Sequence, residues 1–372
     1  MNRLRNRLPV LVWMMLTTSI LFAFMSAQAS DKPFVITPIV KGLGITWGMT
    51  FLDDNTLVFT QRSGKAGLLN IQTSQVTWLS GLPEVYAERQ GGLLDVKAAP
   101  DYAQTGWLYF TYSKPTFTSA VTTLARAKLS ADKLVNWQDL LVTNSESAQD
   151  IHFGSRIAFD NQGHVFLGVG DRGSRGKAQD LTNHAGTIIR LNMDGSIPKD
   201  NPFINNPKAL DEIWSYGHRN PQGLVFDVNT NRLWEMEHGP RGGDEINLIE
   251  KGLNYGWPIV SQGKEYFSGS PVGERFKAGM IEPIKVYIPS IAPSDLIVYQ
   301  GNEFPQWQGS LFSGALVLRH LNQVLLNKQG QAVAENRYLQ SLNQRVRSVT
   351  QDKQGRLYVA TDNGVIYRLS AQ

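Results

Sequence analysis

The sequence of 372 residues contains no cysteine, and charged residues make up only 18% of it. The lack of cysteine excludes a disulfide scaffold and any zinc or iron–sulfur site with cysteine ligands. Beyond the first 29 residues, no apolar run approaches the length of a membrane-spanning helix. Glycine, with 34 residues, and aromatic side chains, at 10%, are plentiful instead. This composition is that of a globular chain and favours many short strands joined by turns.

The first 29 residues have the layout of a secretory signal peptide. They contain three arginines, an apolar run of about 17 residues and a small-x-small cleavage site, namely Arg3, Arg5 and Arg7, Leu8 to Phe24, and Ala27-Gln28-Ala29. The alternative is a membrane anchor, because the run lies at the lower limit of spanning length. Cleavage after Ala29 removes three arginines and lowers the formal net charge from +4 to +1, which gives little support for nucleic-acid binding. We predict a periplasmic protein with no stable membrane insertion after cleavage, since export without cysteine suits that compartment.

A short pattern recurs six times along the rest of the chain. Glycine or asparagine is followed, after one residue, by an aliphatic residue and usually an aromatic one, at residues 55–60, 106–111, 163–168, 231–236, 309–314 and 355–360. Most copies follow another strand and a polar turn, which is a hairpin signal. Six such units are typical of four-stranded sheets repeated around an axis. We therefore predict an all-β fold, a six-bladed β-propeller in one domain over residues 30–372, with Pro33 to Val40 as the outermost strand of the last blade.

Polar residues near the ends of the repeats are the candidate site residues. His152 stands two residues after Asp150, and a histidine with a near-neutral pKa is a suitable proton acceptor for oxidation of an alcohol or hemiacetal. Arg156, nearby, is a candidate for holding an anionic cofactor. Gln90 precedes two glycines that let a flat ligand approach the backbone. A structural histidine and a simple glycine-rich turn are the alternatives.

Three further segments combine charged, amide and carbonyl groups. Residues 214–223 include Arg219 and Asn220 among aromatic residues, although a capped loop with a buried arginine explains them equally well. Residues 237–247 combine glycines and a proline with Asp244 and Glu245, and such oxygen ligands suit Ca²⁺, against the alternative of an acidic turn. Near the C-terminus, residues 345 and 347 place two guanidinium groups on one strand face, where they either bind a di- or tricarboxylate or form a solvated edge.

Together these segments resemble the soluble pyrroloquinoline quinone (PQQ)-dependent aldose sugar dehydrogenases, the glucose/sorbosone dehydrogenase-like family. The resemblance extends from about Pro33 to the C-terminus and is most specific at residues 91–95, 152–154, 214–223, 237–247 and 254–258. The family fold is a six-bladed propeller, in agreement with the repeat count.

The resemblance implies a role for each candidate residue. It implies His152 as general base, Gln90, Arg219 and Asn220 as contacts to the quinone, and Arg345 with Arg347 as the pair that binds quinone carboxylates. It also implies one calcium ion on the carbonyls of Gly239 and Pro240 and a second at Glu245 and Tyr255.

One position departs from the family pattern. Where the family carries a lysine that contacts the quinone, this chain has Val317, in Gly314-Ala315-Leu316-Val317. Loss of one charge-assisted hydrogen bond costs about 1.5 to 3 kcal/mol, which is roughly a tenfold to hundredfold weaker cofactor. Arg319 follows two residues later, which would place it on the same strand face as Val317. Its guanidinium could there compensate for the missing lysine.

The expected function is oxidation of the C1 hemiacetal of an aldose to a lactone, by hydride transfer to calcium-bound PQQ. An external electron acceptor regenerates the cofactor, Asp150 orients the imidazole of His152, and the enzyme is a monomer. Two alternatives stay open. The first is a calcium-dependent propeller lactonase or esterase, which has no need of the paired arginines. The second is a non-catalytic sugar-binding propeller that has lost PQQ, as Val317 would suggest.

Overall fold

A computed structural model describes residues 34–372, and the predicted signal peptide with its cleavage site lies outside these residues. The described chain forms six four-stranded antiparallel sheets. One short α-helix, α1 (Tyr102–Thr105), and 3₁₀ helices at Arg175–Gln179, Pro305–Trp307 and Gln340–Leu342 lie in connections. No helix in this part of the chain is long and apolar enough to cross a membrane.

The strands are numbered in chain order, and each blade is given from its innermost strand outward, apart from β1 (Phe34–Val40). The first three blades are β2 (Thr46–Phe51), β3 (Thr56–Gln61), β4 (Lys65–Asn70) and β5 (Val76–Trp78); β6 (Leu93–Ala98), β7 (Trp107–Pro115), β8 (Ala120–Ser130) and β9 (Lys133–Val142); and β10 (Ile157–Phe159), β11 (His164–Val169), β12 (Thr187–Asn192) and β13 (Ile213–Tyr216). The others are β14 (Pro221–Asp227), β15 (Arg232–Glu237), β16 (Asp244–Ile249) and β17 (Lys285–Tyr287); β18 (Pro293–Val298), β19 (Leu311–Ala315), β20 (His320–Leu326) and β21 (Ala332–Tyr338); and β22 (Val346–Gln351), β23 (Leu357–Thr361) and β24 (Val365–Ala371).

The recurring pattern lies on the second strand of every blade. Its two successive apolar residues pack against the two neighbouring blades and so join the blades into a ring. The aliphatic residue is at most 3% exposed in all six copies, at Leu57, Leu108, Val165, Leu233, Leu311 and Leu357. Successive side chains of a strand point to opposite faces of the sheet. Each aliphatic residue accordingly packs in one core cluster with the following pattern residue of the preceding blade, as Leu57 does with Tyr358 and Leu357 with Phe312. The predicted six-bladed propeller is confirmed.

The N-terminal strand closes the ring. β1 pairs with β24 in antiparallel register from Phe34 opposite Ala371 to Val40 opposite Ile366. The sixth sheet therefore joins both ends of the described chain, as predicted for the segment up to Val40. The innermost strand of each blade contacts the innermost strand of the next, and that of the sixth contacts β2.

Arg156 fills the centre of the ring and ties the blades together. It is 1% exposed. Its guanidinium contacts one residue on the innermost strand of each of the other five blades: the carbonyls of Trp47 (3.1 Å), Gln222 (2.9 Å) and Arg347 (3.4 Å), and the carboxylates of Asp95 (3.4 Å) and Asp295 (3.6 Å). The prediction that Arg156 holds an anionic cofactor is wrong, because its guanidinium is buried and already bound to the innermost strands of the other five blades.

Candidate active site

The antiparallel sheets bring the predicted site residues to one mouth of the ring. Residues just before the innermost strand and just after the second strand of a blade lie at the same end, since the two strands run in opposite directions. Gln90, His152, Arg219 and Asn220, and Arg345 precede innermost strands, whereas Gly239 and Pro240 follow β15, and Arg347 is the second residue of β22. Segments far apart in the sequence thus form one polar site.

His152 forms the central pair of this site with Asp171, which follows β11. The distance from His152 Nδ1 to Asp171 Oδ1 is 2.6 Å. Asp171 is held by the backbone N–H of Gly173 (2.7 Å) and by the indole N–H of Trp257 (2.8 Å). The prediction that Asp150 orients His152 is wrong, because the Asp150 carboxylate accepts a hydrogen bond from the Tyr86 hydroxyl instead (3.0 Å).

Burial sets the protonation state of the pair. It lowers the pKa of His152 below its ordinary 6.5, the charges of Arg219 and Arg172 lower it further, and the hydrogen bond to Asp171 opposes them. Burial alone would raise the pKa of Asp171, but the hydrogen bond and charge of His152 and the charge of Arg219 bring it below its ordinary value. The pair is therefore a neutral imidazole beside a carboxylate at neutral pH.

The loop that carries His152 is fixed by contacts to its backbone. His152 has a φ of 55°, in the left-handed region that strains a non-glycine residue, as is common at functional sites. Its N–H donates to Gln90 Oε1 (2.8 Å). Arg172 donates to the carbonyls of Gln149 (3.0 Å) and Ile151, and its guanidinium lies 3.5 Å from the centre of the Phe153 ring. The predicted contact residue Gln90 thus lies beside His152 and holds its backbone.

Arg219 and Asn220 lie next to His152 and are fixed by Glu237. The Glu237 carboxylate accepts the backbone N–H groups of both residues. Arg219 Nη1 donates to the carbonyls of His238 (3.0 Å) and Gly239 (2.8 Å), whereas its buried Nε has no partner in residues 34–372. A buried guanidinium donor without an acceptor fits an anionic or carbonyl-bearing ligand.

The loop after β15 carries the predicted carbonyl ligands. Gly239 can only be glycine, because a Cβ there would lie 2.1 Å from the carbonyl oxygen of Gly243. Its carbonyl accepts from Arg219, and the Pro240 carbonyl accepts from the Ser290 hydroxyl (3.3 Å). Asp244 receives the Gly239 N–H (2.9 Å). The two carbonyls share one loop, and the Ser290 hydroxyl joins the Pro240 carbonyl to the same Asp244 carboxylate (3.0 Å), which brings negative charge close to them.

The second predicted calcium site has a stronger donor set. Glu237, Glu245 and Tyr255 line one small cavity, with room for about one water-sized particle. Burial, together with the charges of Glu237 and Asp244, raises the pKa of Glu245 well above its ordinary range. The Tyr255 hydroxyl donates to the Leu248 carbonyl (2.6 Å) and accepts the Glu250 N–H (2.8 Å), so a cation here would have to use the backbone carbonyl of Tyr255 instead. A bound divalent cation would relieve the crowding of these carboxylates.

A buried cluster adjoins this cavity at Glu237. The ligand atoms of His218, Glu235 and Glu237 all lie within 4.8 Å of one another. His218 Nδ1 is 3.4 Å from Glu237 Oε1, and Asn247 donates to Glu235 (2.9 Å). Burial and the charge of Glu237 raise the pKa of Glu235 well above its ordinary range, and Glu237 is the member of the cluster that lines the cavity.

Arg345 and Arg347 do lie together, but a carboxylate joins them. Arg345 Nε is 2.8 Å from Asp362 Oδ2, and Arg347 binds both oxygens of Asp362 at 2.8 Å. Arg347 also lies over the Trp47 ring, 5.0 Å from its centre. The trio keeps one net positive charge and a rigid guanidinium beside an aromatic face, which suits an anionic, planar ligand.

The position expected for Arg319 is wrong. Strand β19 ends at Ala315, and residues 316–319 form a turn, in which Arg319 has a φ of 53°. Its guanidinium donates to Asn343 Oδ1 (2.9 Å), so it does not share a strand face with Val317. Val317 is 56% exposed at the same mouth of the ring. The departure from the family lysine is therefore not compensated along that strand.

Three site residues escaped the sequence analysis as functional candidates. Asp171 and Trp257 belong to the His152 pair. His238 donates from Nε2 to the Pro293 carbonyl (2.6 Å), and burial with the charges of Arg219, His152 and Arg347 lowers its pKa to about 3. His238 thus lies among three of the predicted residues as a neutral imidazole. In the sequence, the one indication of a role for His238 was its place in the polar segment of residues 237–247.

The fold and these contacts define a six-bladed propeller with a buried histidine–carboxylate pair and a glycine-rich loop at one mouth. The sequence profile of the family described as Glucose / Sorbosone dehydrogenase matches residues 43–368. The chain belongs to this family and is an oxidoreductase of the sugar dehydrogenase type.

Named relatives agree with this assignment. The chain is 40% identical over 324 residues to "Aldose sugar dehydrogenase YliI" of Escherichia coli strain K12, covering 85% of this chain and 86% of the relative. The crystal structure of the apo-form of the soluble aldose sugar dehydrogenase from E. coli has a TM-score of 0.88 at 35% identity, covering 91% of this chain and all of that one. The PQQ-bound aldose sugar dehydrogenase of Streptomyces coelicolor has a TM-score of 0.76 at 25% identity, covering 91% and 98%.

Proposed function

We propose that this protein is a periplasmic, PQQ-dependent aldose dehydrogenase that oxidises the C1 hemiacetal of aldoses to lactones, with His152 as general base. The observation that carries the proposal is the buried pair of His152 and Asp171 at the mouth of a sugar dehydrogenase propeller (2.6 Å). The PQQ-bound relative supports the cofactor. The predicted signal peptide, residues 1–29, supports export.

The proton step follows from the contacts of the imidazole. Asp171 accepts the proton on Nδ1, so Nε2 carries the lone pair. No residue of the described chain hydrogen-bonds Nε2, and the lowered pKa keeps the ring neutral at pH 7, so that Nε2 is free to accept a proton. His152 Nε2 would take the proton of the C1 hydroxyl, and the hydride of C1 would pass to the two-electron acceptor that PQQ supplies when bound.

The cofactor residues surround this base. Arg219 offers its unpaired Nε, Gln90 and Asn220 offer amides, and Arg345 with Arg347 offers a guanidinium pair with one net positive charge. When bound, PQQ supplies the two-electron acceptor and Ca²⁺ polarises it as a Lewis acid. In this proposal the carbonyls of Gly239 and Pro240 hold that ion, and Glu245 with the Tyr255 carbonyl holds a second, structural one. Because Val317 replaces the family lysine, we expect this chain to bind the quinone about tenfold to hundredfold more weakly than a chain with that lysine.

The test of the base compares two histidines, each paired with an aspartate. His152→Ala is expected to abolish aldose-dependent dye reduction by the reconstituted protein and to keep the PQQ affinity within about threefold, since the removed side chain acts on the substrate proton. His164, paired with Asp160 at 2.7 Å, begins β11 at the opposite end of the ring, so His164→Ala is the matched control. Retained turnover in His152→Ala would remove His152 from this role.

A further inference from the structure

An excursion from the fourth blade reaches the loop that carries the proposed calcium ligands. It lies within the connection between β16 and β17. Arg241 and Lys264 exchange both backbone hydrogen bonds (3.0 and 3.1 Å), and Lys264 also bridges Pro271. Residues 264–271 therefore form a hairpin fastened to the loop at Gly239–Gly243.

This fastening places uncompensated positive charge on the surface. Arg241 and Lys264 are directly opposite each other, an arrangement that destabilises a pair of like charges. Arg275 lines the same groove as these two residues. In the part of the chain that the structure describes, none of the three forms an ion pair, because Glu265 binds Arg175 and Glu274 lies 3.7 Å from Lys277.

Large apolar side chains stand exposed among these cations. Tyr266 is 55% exposed, Phe267 105%, Phe276 59% and Ile288 67%. Gly269 and Ile288 line the groove with Arg241 and Arg275, which joins the hairpin tip to the cationic residues. Aromatic residues, exposed and clustered with arginine, are typical of a protein interface. We call this set the cationic rim: Arg241, Lys264, Tyr266, Phe267, Arg275, Phe276 and Ile288.

The cationic rim is one loop away from the proposed redox centre. Gly242 lines its groove, whereas the next residue, Gly243, lines the cavity of Glu237 and Glu245. A protein bound at the rim would therefore lie close to the mouth of the ring. Positive charge at such a place steers an acidic partner into contact and raises its association rate.

We propose that the cationic rim docks a small acidic electron-transfer protein, which takes up the electrons released by sugar oxidation. This inference rests on the proposed function. Each aldose oxidised to a lactone loses two electrons and two protons, so two one-electron carriers are reduced per turnover. A few exposed apolar residues surrounded by charged ones are typical of a weak, short-lived complex. Electron-transfer proteins form complexes of this kind.

Direct binding tests the surface without any cofactor. Immobilised protein is exposed, in surface plasmon resonance at low salt, to a purified small acidic cytochrome and to a basic cytochrome c. We expect measurable binding of the acidic cytochrome only. Lys264→Glu and Arg241→Glu should each weaken this binding about tenfold. Salt screening at about 0.5 M NaCl should abolish it. Lys133→Glu, at the exposed start of β9, is the matched control.

Turnover separates this inference from the proposed function. With PQQ and calcium bound, Lys264→Glu is expected to slow reduction of the acidic cytochrome about tenfold and to leave reduction of a small phenazine dye unchanged. Equal binding by the wild type, Lys264→Glu and Lys133→Glu would overturn the docking surface. If the wild type fails to reduce the dye, the proposed function is refuted. The docking surface is then still judged by the binding measurement, which needs no cofactor.

Discussion

Replacing Asp171 by Asn is expected to lower kcat for aldose oxidation by about 100- to 10,000-fold, the range contributed by a positioned general base. An asparagine amide that donates to Nδ1 favours the tautomer with the proton on Nε2, which deprives His152 of its lone pair. With the amide nitrogen facing Nδ1, the amide oxygen would still accept the indole N–H of Trp257, whereas the backbone N–H of Gly173 would lose its acceptor. Steady-state dye reduction with saturating PQQ measures the effect.

A neighbouring carboxylate supplies the control for this prediction. Asp150 is two residues from His152 in sequence, but its side chain binds the Tyr86 hydroxyl (3.0 Å). Asp150→Asn keeps an acceptor oxygen for that hydroxyl and is expected to retain kcat within about threefold. Asp171→Asn with the activity of the wild type, or equal losses in both variants, would contradict the assigned pair.

Replacing Arg156 by Met is expected to lower the free energy of unfolding by about 3 to 5 kcal/mol, because one partner of a buried ion cluster is removed. Asp95 and Asp295 would be left buried without their guanidinium, and Trp47, Gln222 and Arg347 would lose its bonds to their carbonyls. Urea unfolding followed by tryptophan fluorescence gives the difference.

Exposed Arg319 provides the comparison for Arg156. Its one side-chain hydrogen bond is to Asn343 (2.9 Å), and Arg319→Met is expected to change stability by about 0.5 kcal/mol or less. Arg156→Lys, which keeps the charge but not the five directed donors, should fall between the two. A loss below about 1 kcal/mol for Arg156→Met would show that the central guanidinium does not hold the blades together.

The fold was predictable because its information is local and repeated. Each second strand carries an aliphatic residue for one neighbouring blade and a following residue, usually aromatic, for the other, so the same pattern recurs at Leu57, Leu357 and the other copies. The closing strand was equally visible, since an extended apolar segment ended at Val40. These features depend on strand periodicity rather than on contacts between distant residues.

Partners of the charged residues were not predictable, because the ring brings them together from different strands. Asp171 reaches His152 from the far end of β11, a separation of 19 residues. Asp362 likewise joins Arg345 and Arg347 from the end of β23. Proximity in sequence therefore favoured Asp150 wrongly.

Local geometry also overrode a simple alternation of side chains. Arg319 was expected on the strand face of Val317, but the strand had already ended at Ala315 and the backbone turns through a left-handed conformation. Arg156 looked like a ligand residue because it stands near His152, although its guanidinium belongs to the core. Element ends and burial depend on the assembled ring.

Titration of the purified, calcium-loaded apoprotein with PQQ, with glucose-dependent dye reduction as readout, tests the central claim most directly. We expect saturable binding in the micromolar range or tighter, activity that requires calcium, and loss of that activity in His152→Ala. Saturation would also show that Val317 is tolerated in place of the family lysine. No PQQ binding at micromolar concentration, or dye reduction that persists in His152→Ala, would contradict it.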